Sequence, residues 1–328
     1  MPSIRNIMTM AVTSALLILT GCARHSGSEV YYLVSANLSL PYWKTASAGF
    51  QRAAASYHVV GRVVGPDSYD PQQELQALQQ AIAAKPAGIL ISVADEALLK
   101  PAIDTAIDSD IPVVTMDSDA PSSHRLFFIG TNNIAAGHLG ADRVVDRLGG
   151  RGNVVFFTIT GQPNLDDRLK GYKDIFEQHP EIKILDVVNI KGDSRNAFDN
   201  AMQYLSLAGP TKVSAFICLE ASSGKAVADA VRRAHATDRV VIAMDVQPDT
   251  LNEIKDGVIE ATIAQKPYTM AYVGLRELDL IYHDKPTEFA RDYSVDAFAP
   301  YPAFIDTGAA LVDKVNEDIY ARDAAQHQ

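Results

Sequence analysis

Short apolar segments alternate with amphipathic segments along this chain, and no other feature of the sequence limits its fold as strongly. In the first half, apolar runs too short for helices lie at 30–34, 59–64, 88–93, 111–115 and 126–130. Between them, apolar residues recur at helical spacing, as Leu75, Leu78 and Ile82 do after the N-cap and proline pair Asp70-Pro71. Strands that alternate with helices predict an α/β fold with a parallel, doubly wound sheet.

The same alternation continues in the second half of the chain. Helical patterns lie at 135–148, 168–178, 197–207, 223–234, 250–255 and 268–282, with apolar runs at 154–158, 184–188, 215–219, 240–244 and 261–264. The halves are of similar length, and 47% of all residues are hydrophobic, which is enough for two cores. We therefore predict two doubly wound α/β lobes, with the chain crossing between them near 130–133 and near 265–267.

The first turn of the predicted sheet carries two large aromatic residues. Strand 30–34 passes through polar residues into a helix that begins at Pro41, with Tyr42 and Trp43 in its first turn. The carboxyl ends of parallel strands are where open α/β sheets bind ligands. Two interpretations follow: the rings stack on a flat ligand, or they pack into the hydrophobic core.

The amino terminus has the pattern of an export signal. Arg5 precedes a mostly apolar run that ends in Leu-Thr-Gly-Cys22, which is similar to the lipobox of bacterial lipoproteins. We predict a signal peptide at 1–21, lipidation of Cys22 and a tether at 22–29; an ordinary cleaved signal with an incidental cysteine is the alternative. The protein is then expected in the periplasm or at the cell surface, as a membrane-anchored lipoprotein. Since Cys218 is the other cysteine, no disulfide is expected.

The composition argues against several classes of function. A net charge of −11 argues against nucleic acid as a partner, because phosphate binding needs a basic face. The eight histidines are scattered and none pairs at the spacing of metal ligands, so we expect no metal and no cofactor. Two glycine-containing segments, 148–152 and 222–225, lack the context or the spacing of a phosphate-binding loop.

Seven motifs along the chain resemble, in the same order, those of ribose/galactose-type periplasmic sugar-binding proteins, the solute receptors of ABC transporters. They are residues 34–43, KPAGIL at 85–90, IPVVTMD at 111–117, IGTNN at 129–133 with Ala136-Gly137, RLKGY at 168–172, VIAMD at 241–245 and ATIAQKP at 261–267. The resemblance spans residues 30–320 approximately. It implies a type I periplasmic binding protein fold, in which two lobes joined by three hinge crossings hold the ligand in their cleft.

The resemblance also implies how the chain is divided. The first lobe would comprise 30–131 and 267–296, and the second lobe 132–266 and 297–328. The third crossing would lie near 293–301. Receptors of this type close around their ligand by hinge motion.

Four polar ligand contacts are implied by the same resemblance. Asp117 and Asp245 match carboxylates at strand ends that accept hydrogen bonds from sugar hydroxyls. Arg168 matches an arginine whose planar fork donates to neighbouring sugar oxygens, and Gln265 matches an amide at the second crossing that can donate and accept. The alternatives are that the aspartates cap the helices that follow them and that Arg168 pairs with an acidic neighbour on the surface.

The resemblance assigns aromatic contacts as well. Tyr42 and Trp43 match a pair that sandwiches the sugar ring, because the C–H faces of a sugar bury well against aromatic planes. Another aromatic residue often comes from the loop before the third helix of the second lobe. It is missing here, since Gly192-Asp193 stands at that place.

Three further candidate contacts depart from the ribose type. Ser118 stands where an arginine follows the strand-end aspartate, and Glu220 stands where an asparagine is usual. The opening turn is one residue longer, so the asparagine contact there is expected to be either replaced or supplied by Asn37. A lost arginine and a gained carboxylate make the cleft more acidic. That argues against plain ribose and favours a polyol, another pentose or hexose, or a ligand with a cationic group.

We therefore expect a monomeric, lipid-anchored receptor that binds a small carbohydrate or polyol and delivers it to the permease of an ABC transporter. One alternative is a receptor that presents its ligand to a membrane sensor or chemoreceptor. A more distant alternative is a glycoside-cleaving enzyme that uses Asp117 and Asp245 as acid and base. Arg168 nearby would keep both carboxylates ionised, which does not suit a general acid.

Overall fold

The computed structural model describes residues 27–286, 289, 293 and 295–326. The predicted signal peptide at 1–21, the lipidation site Cys22 and residues 22–26 of the predicted tether lie outside the described residues. Within the described part of the chain, no helix is both long enough and apolar enough to cross a membrane.

Strands and helices alternate from the first described residues onward. Up to residue 130 the elements are β1 (Val30–Val34), α1 (Pro41–Tyr57), β2 (Val60–Val64), α2 (Pro71–Ala83), β3 (Gly88–Ile91), α3 (Glu96–Asp108), β4 (Val113–Met116) and β5 (Phe128–Gly130). The next group is α4 (Asn133–Leu148), β6 (Arg151–Thr158), α5 (Pro163–Phe176), β7 (Glu181–Asn189), α6 (Ser194–Leu205), β8 (Val213–Cys218), α7 (Ser223–Arg233), β9 (Val240–Met244), α8 (Pro248–Lys255) and β10 (Ala261–Ala264). The last group is α9 (Pro267–His283), β11 (Phe304–Asp306), β12 (Ala310–Asp313) and α10 (Glu317–Gln326).

The strands form two sheets of the same layout. The first has the order β11-β5-β4-β3-β1-β2 and the second the order β12-β10-β9-β8-β6-β7. Neighbouring strands are parallel, apart from β12, which runs antiparallel to β10. Each strand from β1 to β5 therefore has an equivalent from β6 to β10. This arrangement confirms the prediction of two doubly wound, parallel-sheet lobes.

The described chain passes between the lobes three times. It crosses between β5 and α4, between β10 and α9, and between β11 and β12. The third crossing lies at 307–309 and not near 293–301, because β11 still pairs with β5 in the first sheet. The predicted start of the second segment of the second lobe at 297 was therefore wrong. A strand of three residues carries too little apolar pattern to be recognised from the sequence.

Two glycines bring helices α4 and α5 into backbone contact. A Cβ atom placed on Gly137 would lie 2.3 Å from the backbone oxygen of Arg168, and one on Gly171 would lie 2.3 Å from that of Ile134. With no side chain on either glycine, the helix backbones approach closely. This packing sets the position of Arg168, on the first turns of α5, relative to Asn133, which begins α4.

Candidate ligand-binding site

Two aspartates occupy equivalent positions at the carboxyl ends of β4 and β9. Asp117 and Asp245 have φ values of 64° and 67°, a left-handed conformation that aspartate tolerates better than most residues. The backbone N–H of Asp117 donates to the carbonyl of Ile129 on β5 at 3.0 Å, and that of Asp245 donates to the carbonyl of Ile263 on β10 at 2.8 Å. No helix starts directly after Asp117, and Gln247 rather than Asp245 is the N-cap of α8. The helix-cap alternative for these aspartates is therefore wrong.

The Asp117 carboxylate is held from two sides within the first lobe. The Tyr42 hydroxyl donates to its Oδ1 at 2.7 Å, and the Ser92 hydroxyl donates to its Oδ2 at 3.2 Å. The Tyr42 hydroxyl also lies 3.6 Å from the sulfur of Met270. These contacts orient the carboxylate and leave each oxygen a lone pair that can accept from a ligand.

Arg168 is buried, with 4% of its surface exposed, and it faces neutral acceptors. Its Nε donates to Asn133 Oδ1 at 2.8 Å, its Nη1 to the carbonyl of Leu219 at 2.8 Å and its Nη2 to Gln265 Oε1 at 2.9 Å. A surface ion pair with an acidic neighbour is therefore not its role. A guanidinium has five N–H donors, so these contacts leave two of them for a ligand.

Gln265 connects the two lobes at the second crossing. Its Oε1 accepts from Arg168 and also from the hydroxyl of Thr131, at the first crossing, at 2.9 Å. Its Nε2 donates to Asp245 Oδ1 at 2.9 Å. The amide is thus held in one orientation, since its oxygen receives two donors and its nitrogen faces a carboxylate.

Burial changes the acidity of both aspartates. It raises the pKa of Asp117, against the opposing effects of Arg168 and of the hydrogen bonds from Tyr42 and Ser92. Burial also raises the pKa of Asp245 to about 7, while Arg168 and the Gln265 hydrogen bond oppose the rise and the charge of Asp117 adds to it. A substantial fraction of Asp245 is therefore protonated near neutral pH, so the expectation that Arg168 keeps both carboxylates ionised is wrong for Asp245.

A cavity of about 80 Å³ lies between the lobes and brings most of the candidate residues together. Its first-lobe lining is Ala36, Asn37, Leu40, Tyr42, Trp43, Tyr69, Ser92 and Asp117. Its second-lobe lining is Ile159, Gln162, Asn164, Leu165, Arg168, Gly192, Glu220, Ala221, Ser222 and Asp245, with Gln265 at the crossing. Eight of the nine residues predicted to contact the ligand are among these.

Ser118 was also predicted to contact the ligand, but it is not among the residues that line the cavity. It is buried beside Asp117, and its hydroxyl has no hydrogen-bond partner among the described residues. Glu220 lines the cavity, but its carboxylate accepts the backbone N–H groups of Ser222 at 2.6 Å and Ser223 at 2.8 Å. This carboxylate therefore stabilises the start of α7, where its negative charge interacts favourably with the helix N-terminus.

Tyr42 and Trp43 do not form a sandwich by themselves. Their ring centroids are 5.3 Å apart and the ring planes meet at 77°, an edge-to-face pair. Both side chains are largely buried, and both also pack in the core of the first lobe. The predicted sandwich by these two rings is wrong in its geometry, because perpendicular rings cannot cover opposite faces of one flat ligand.

The sequence reasoning missed several lining residues. Ser92 directly follows β3, so the rule that strand ends carry ligand contacts could have identified it. Gln162 and Asn164 lie at the start of α5 and are buried polar residues. Tyr69 precedes the predicted helix cap Asp70, and no local pattern distinguishes it from an exposed loop residue.

One group of potential metal ligands occurs among the described residues. Glu29, Asp279 and His283 have ligand atoms within 4.8 Å of one another, and His283 Nε2 lies 3.1 Å from Glu29 Oε2. None of the three lines the cavity. They join the start of the first strand to the end of α9.

Two doubly wound lobes, three crossings and a polar cavity between the lobes define a bilobal solute-binding protein. Residues 31–283 match the family described as Periplasmic binding protein domain, and the chain belongs to that family.

Individual relatives have sugars in their names. The ribose import binding protein RbsB of Escherichia coli (strain K12) is 25% identical over 293 residues, which cover 87% of this chain and 95% of RbsB. AraP, an arabinose binding protein from Geobacillus stearothermophilus, is 33% identical with a TM-score of 0.74, over 89% of this chain and 99% of AraP. A sugar-binding protein of a sugar ABC transporter from Bacillus halodurans is 34% identical with a TM-score of 0.77, over 89% of this chain and 100% of that protein.

These comparisons confirm the predicted class. The relatives are binding proteins of sugar transport, so this chain is an extracytoplasmic solute-binding protein and not an enzyme.

Proposed function

We propose that this protein binds one small carbohydrate or polyol between its lobes and delivers it to the permease of an ABC importer. One observation carries the proposal. Asp117 and Asp245, at equivalent strand ends of the two lobes, face one cavity that also contains the Arg168 guanidinium. Carboxylates accept from sugar hydroxyls and a guanidinium donates to sugar oxygens, so the set suits a ligand with many hydroxyl groups.

The size and charge of the cavity narrow the ligand class. A cavity of about 80 Å³ is far too small for an oligosaccharide, which leaves a single small sugar or polyol as the candidate ligand. The Glu220 carboxylate already accepts from backbone N–H groups at the start of α7, and partial protonation of Asp245 near neutral pH lowers the negative charge of the cavity. A neutral ligand is therefore favoured over a cationic one. The relatives named for ribose and arabinose support a pentose as the first candidate.

A thermal-shift screen tests this function. Pentoses, hexoses, polyols and amino sugars are added singly, and a ligand at 100 times its Kd should stabilise the protein by about 2.7 kcal/mol. Titration calorimetry should then give one site per chain. Asp117→Ala and Arg168→Ala should abolish binding, whereas Asp238→Ala, which removes an exposed carboxylate paired with Lys212, should bind as the wild type does. If no compound in the panel binds, the proposal fails.

We also propose that Cys22 carries the lipid anchor, since the residues before it form a lipobox-like sequence. The full chain, made in a bacterial host, should take up a labelled fatty acid and sediment with membranes. Cys22→Ser should lose the label and remain soluble while still binding sugar. Equal sedimentation of both proteins would contradict the anchor without affecting the proposed ligand site.

A further inference from the structure

Two residues at equivalent positions in the two lobes meet across the cleft. Tyr69 directly precedes Asp70, the N-cap of α2, and Gly192 directly precedes Asp193, the N-cap of α6. Helices α2 and α6 follow the equivalent strands β2 and β7. The same turn therefore carries a large ring in one lobe and no side chain in the other.

The contact between these two residues is close. A Cβ atom placed on Gly192 would lie 2.8 Å from Tyr69 Cβ and 3.0 Å from its Cγ. Tyr69 packs against the cores of both lobes. Its hydroxyl donates to the carbonyl of Ala94 in its own lobe at 3.1 Å, so the ring is held at the cleft.

A glycine is required at 192 for two reasons. Its φ of 73° is a conformation that other residues adopt at a cost. In addition, atoms closer than about 3.0 Å overlap, so any side chain there would separate the two loops. The lobes reach the arrangement seen here because one partner of this contact has no side chain.

We propose that Tyr69 and Gly192 form the contact at which the two lobes meet when they close, and that the Tyr69 ring, as one wall of the cavity at this contact, sets the size of the sugar or polyol that is retained. This inference rests on the proposed function. The Tyr69 ring lines the cavity opposite the second lobe, where Gly192 also lines it. Tyr69 therefore supplies an aromatic side chain from the first lobe at the part of the cavity where the second lobe has Gly192 and no side chain.

Affinity measurements with two probes test the size limit. L-Arabinose and D-galactose differ by one CH₂OH group, and their Kd values are compared in the wild type and in Tyr69→Ala. Loss of the ring enlarges the cavity, so the affinity ratio should shift toward D-galactose by about 10-fold. An unchanged ratio, with both sugars weakened equally, would overturn the role in size selection.

A double-mutant cycle tests the contact itself. Gly192→Ala should weaken binding about 10-fold, because the added methyl group meets Tyr69 and hinders closure. In the Tyr69→Ala background, the same glycine change should have much less effect. Additive effects would mean that Gly192 acts without Tyr69, and the proposal would fall.

Gly257→Ala is the matched control for backbone strain. Gly257 has a φ of 78°, close to that of Gly192, but a Cβ atom there would meet nothing within 4 Å. The two substitutions therefore impose similar strain, and only the one at 192 obstructs a contact between lobes. Gly257→Ala should bind both sugars as the wild type does, and equal losses in the two variants would contradict the proposal.

A crosslinking experiment needs no ligand. Tyr69→Cys and Gly192→Cys are combined in the full chain, since Cβ atoms about 3.5–4.5 Å apart allow a disulfide after a small opening. Mild oxidation should crosslink the double variant and neither single variant, and a bound sugar should accelerate the reaction. If the crosslink forms but no sugar binds, the interlobe contact stands and the proposed function fails. If sugar binds but no crosslink ever forms, the contact fails and the function stands.

Discussion

Arg168 donates a hydrogen bond from Nη2 to Gln265 Oε1 at 2.9 Å, which joins the candidate ligand site to a crossing between the lobes. Gln265 Oε1 also accepts from Thr131 at the first crossing, and its Nε2 donates to Asp245. Crossing residues are those that absorb the backbone changes of a hinge motion. A ligand that contacts Arg168 or Asp245 therefore acts on a group hydrogen-bonded to Gln265 at the second crossing and, through Gln265, linked to Thr131 at the first crossing.

Arg168→Met is expected to destabilise the protein and to abolish sugar binding. The methionine fills similar space but removes the buried donor to Asn133 Oδ1 and to the Leu219 carbonyl, at a cost on the order of 3 kcal/mol in the free energy of unfolding. Urea unfolding measures the stability, and calorimetry measures the binding. Arg168→Lys should fail in the same way, because a single ammonium group cannot reach three acceptors in different directions. A lysine variant with wild-type affinity would contradict this role.

Asp245 should make the stability depend on pH. The unfolded carboxyl has a pKa near 3.9, whereas the folded value is raised to about 7, so the folded protein binds more protons between these values. The contribution of this group to the free energy of unfolding is complete below about pH 4 and is lost as pH rises through about 7. The loss is on the order of 4 kcal/mol. Urea unfolding across this range measures it.

Two variants separate this effect from other titrations. Asp245→Asn should flatten the decline between about pH 4.5 and 8, because an amide does not titrate. Asp238→Asn should leave the decline unchanged, since the pKa of Asp238 is lowered by its contact with Lys212 and lies below that range. An equally steep decline in Asp245→Asn would show that other groups cause it.

Tyr42→Phe is expected to weaken sugar binding by about 10-fold, because it removes the hydroxyl that orients the Asp117 carboxylate. The ring and its packing against Trp43 remain, so the loss of stability should be small, about 1 kcal/mol. Calorimetry with the best sugar of the screen measures the affinity. Tyr204→Phe removes a hydroxyl that donates to Asp186, away from the cavity, and should bind normally. Equal affinities of Tyr42→Phe and the wild type would contradict the orienting role.

Gly137→Ala is expected to weaken both folding and binding. The added methyl group would lie 2.3 Å from the backbone oxygen of Arg168, so α5 must move away from α4. Overpacking of this kind costs about 1–3 kcal/mol, and Arg168 moves with its helix. Ala135→Ser adds one atom on the exposed face of α4 and should change neither property. Thermal unfolding and calorimetry on both variants check this, and normal binding by Gly137→Ala would contradict it.

Much of the fold could be predicted because it depends on local pattern. Apolar runs of strand length and amphipathic helical spacing recur in both halves, and such patterns define a doubly wound sheet wherever they alternate. The aspartates at the ends of β4 and β9 could also be found, since their positions follow from where the strands end. The third crossing could not, because β11 is held by pairing with a strand far away in the chain.

The geometry of the site depends on contacts between distant segments. The Tyr42 hydroxyl donates to the Asp117 carboxylate, which lies 75 residues further along the chain. Tyr69 and Gly192 are separated by more than a hundred residues, and neither has a local pattern that predicts the other.

The class of fold, the two lobes and the strand ends at which ligand contacts are expected follow from the sequence alone, because local periodicity and strand direction suffice for these. The angle between the aromatic rings, the partner of each carboxylate and the meeting of Tyr69 with Gly192 were decided only by the tertiary structure. The first two features depend on how side chains pack within each folded lobe and the third on where the two lobes meet, and no local pattern contains that information.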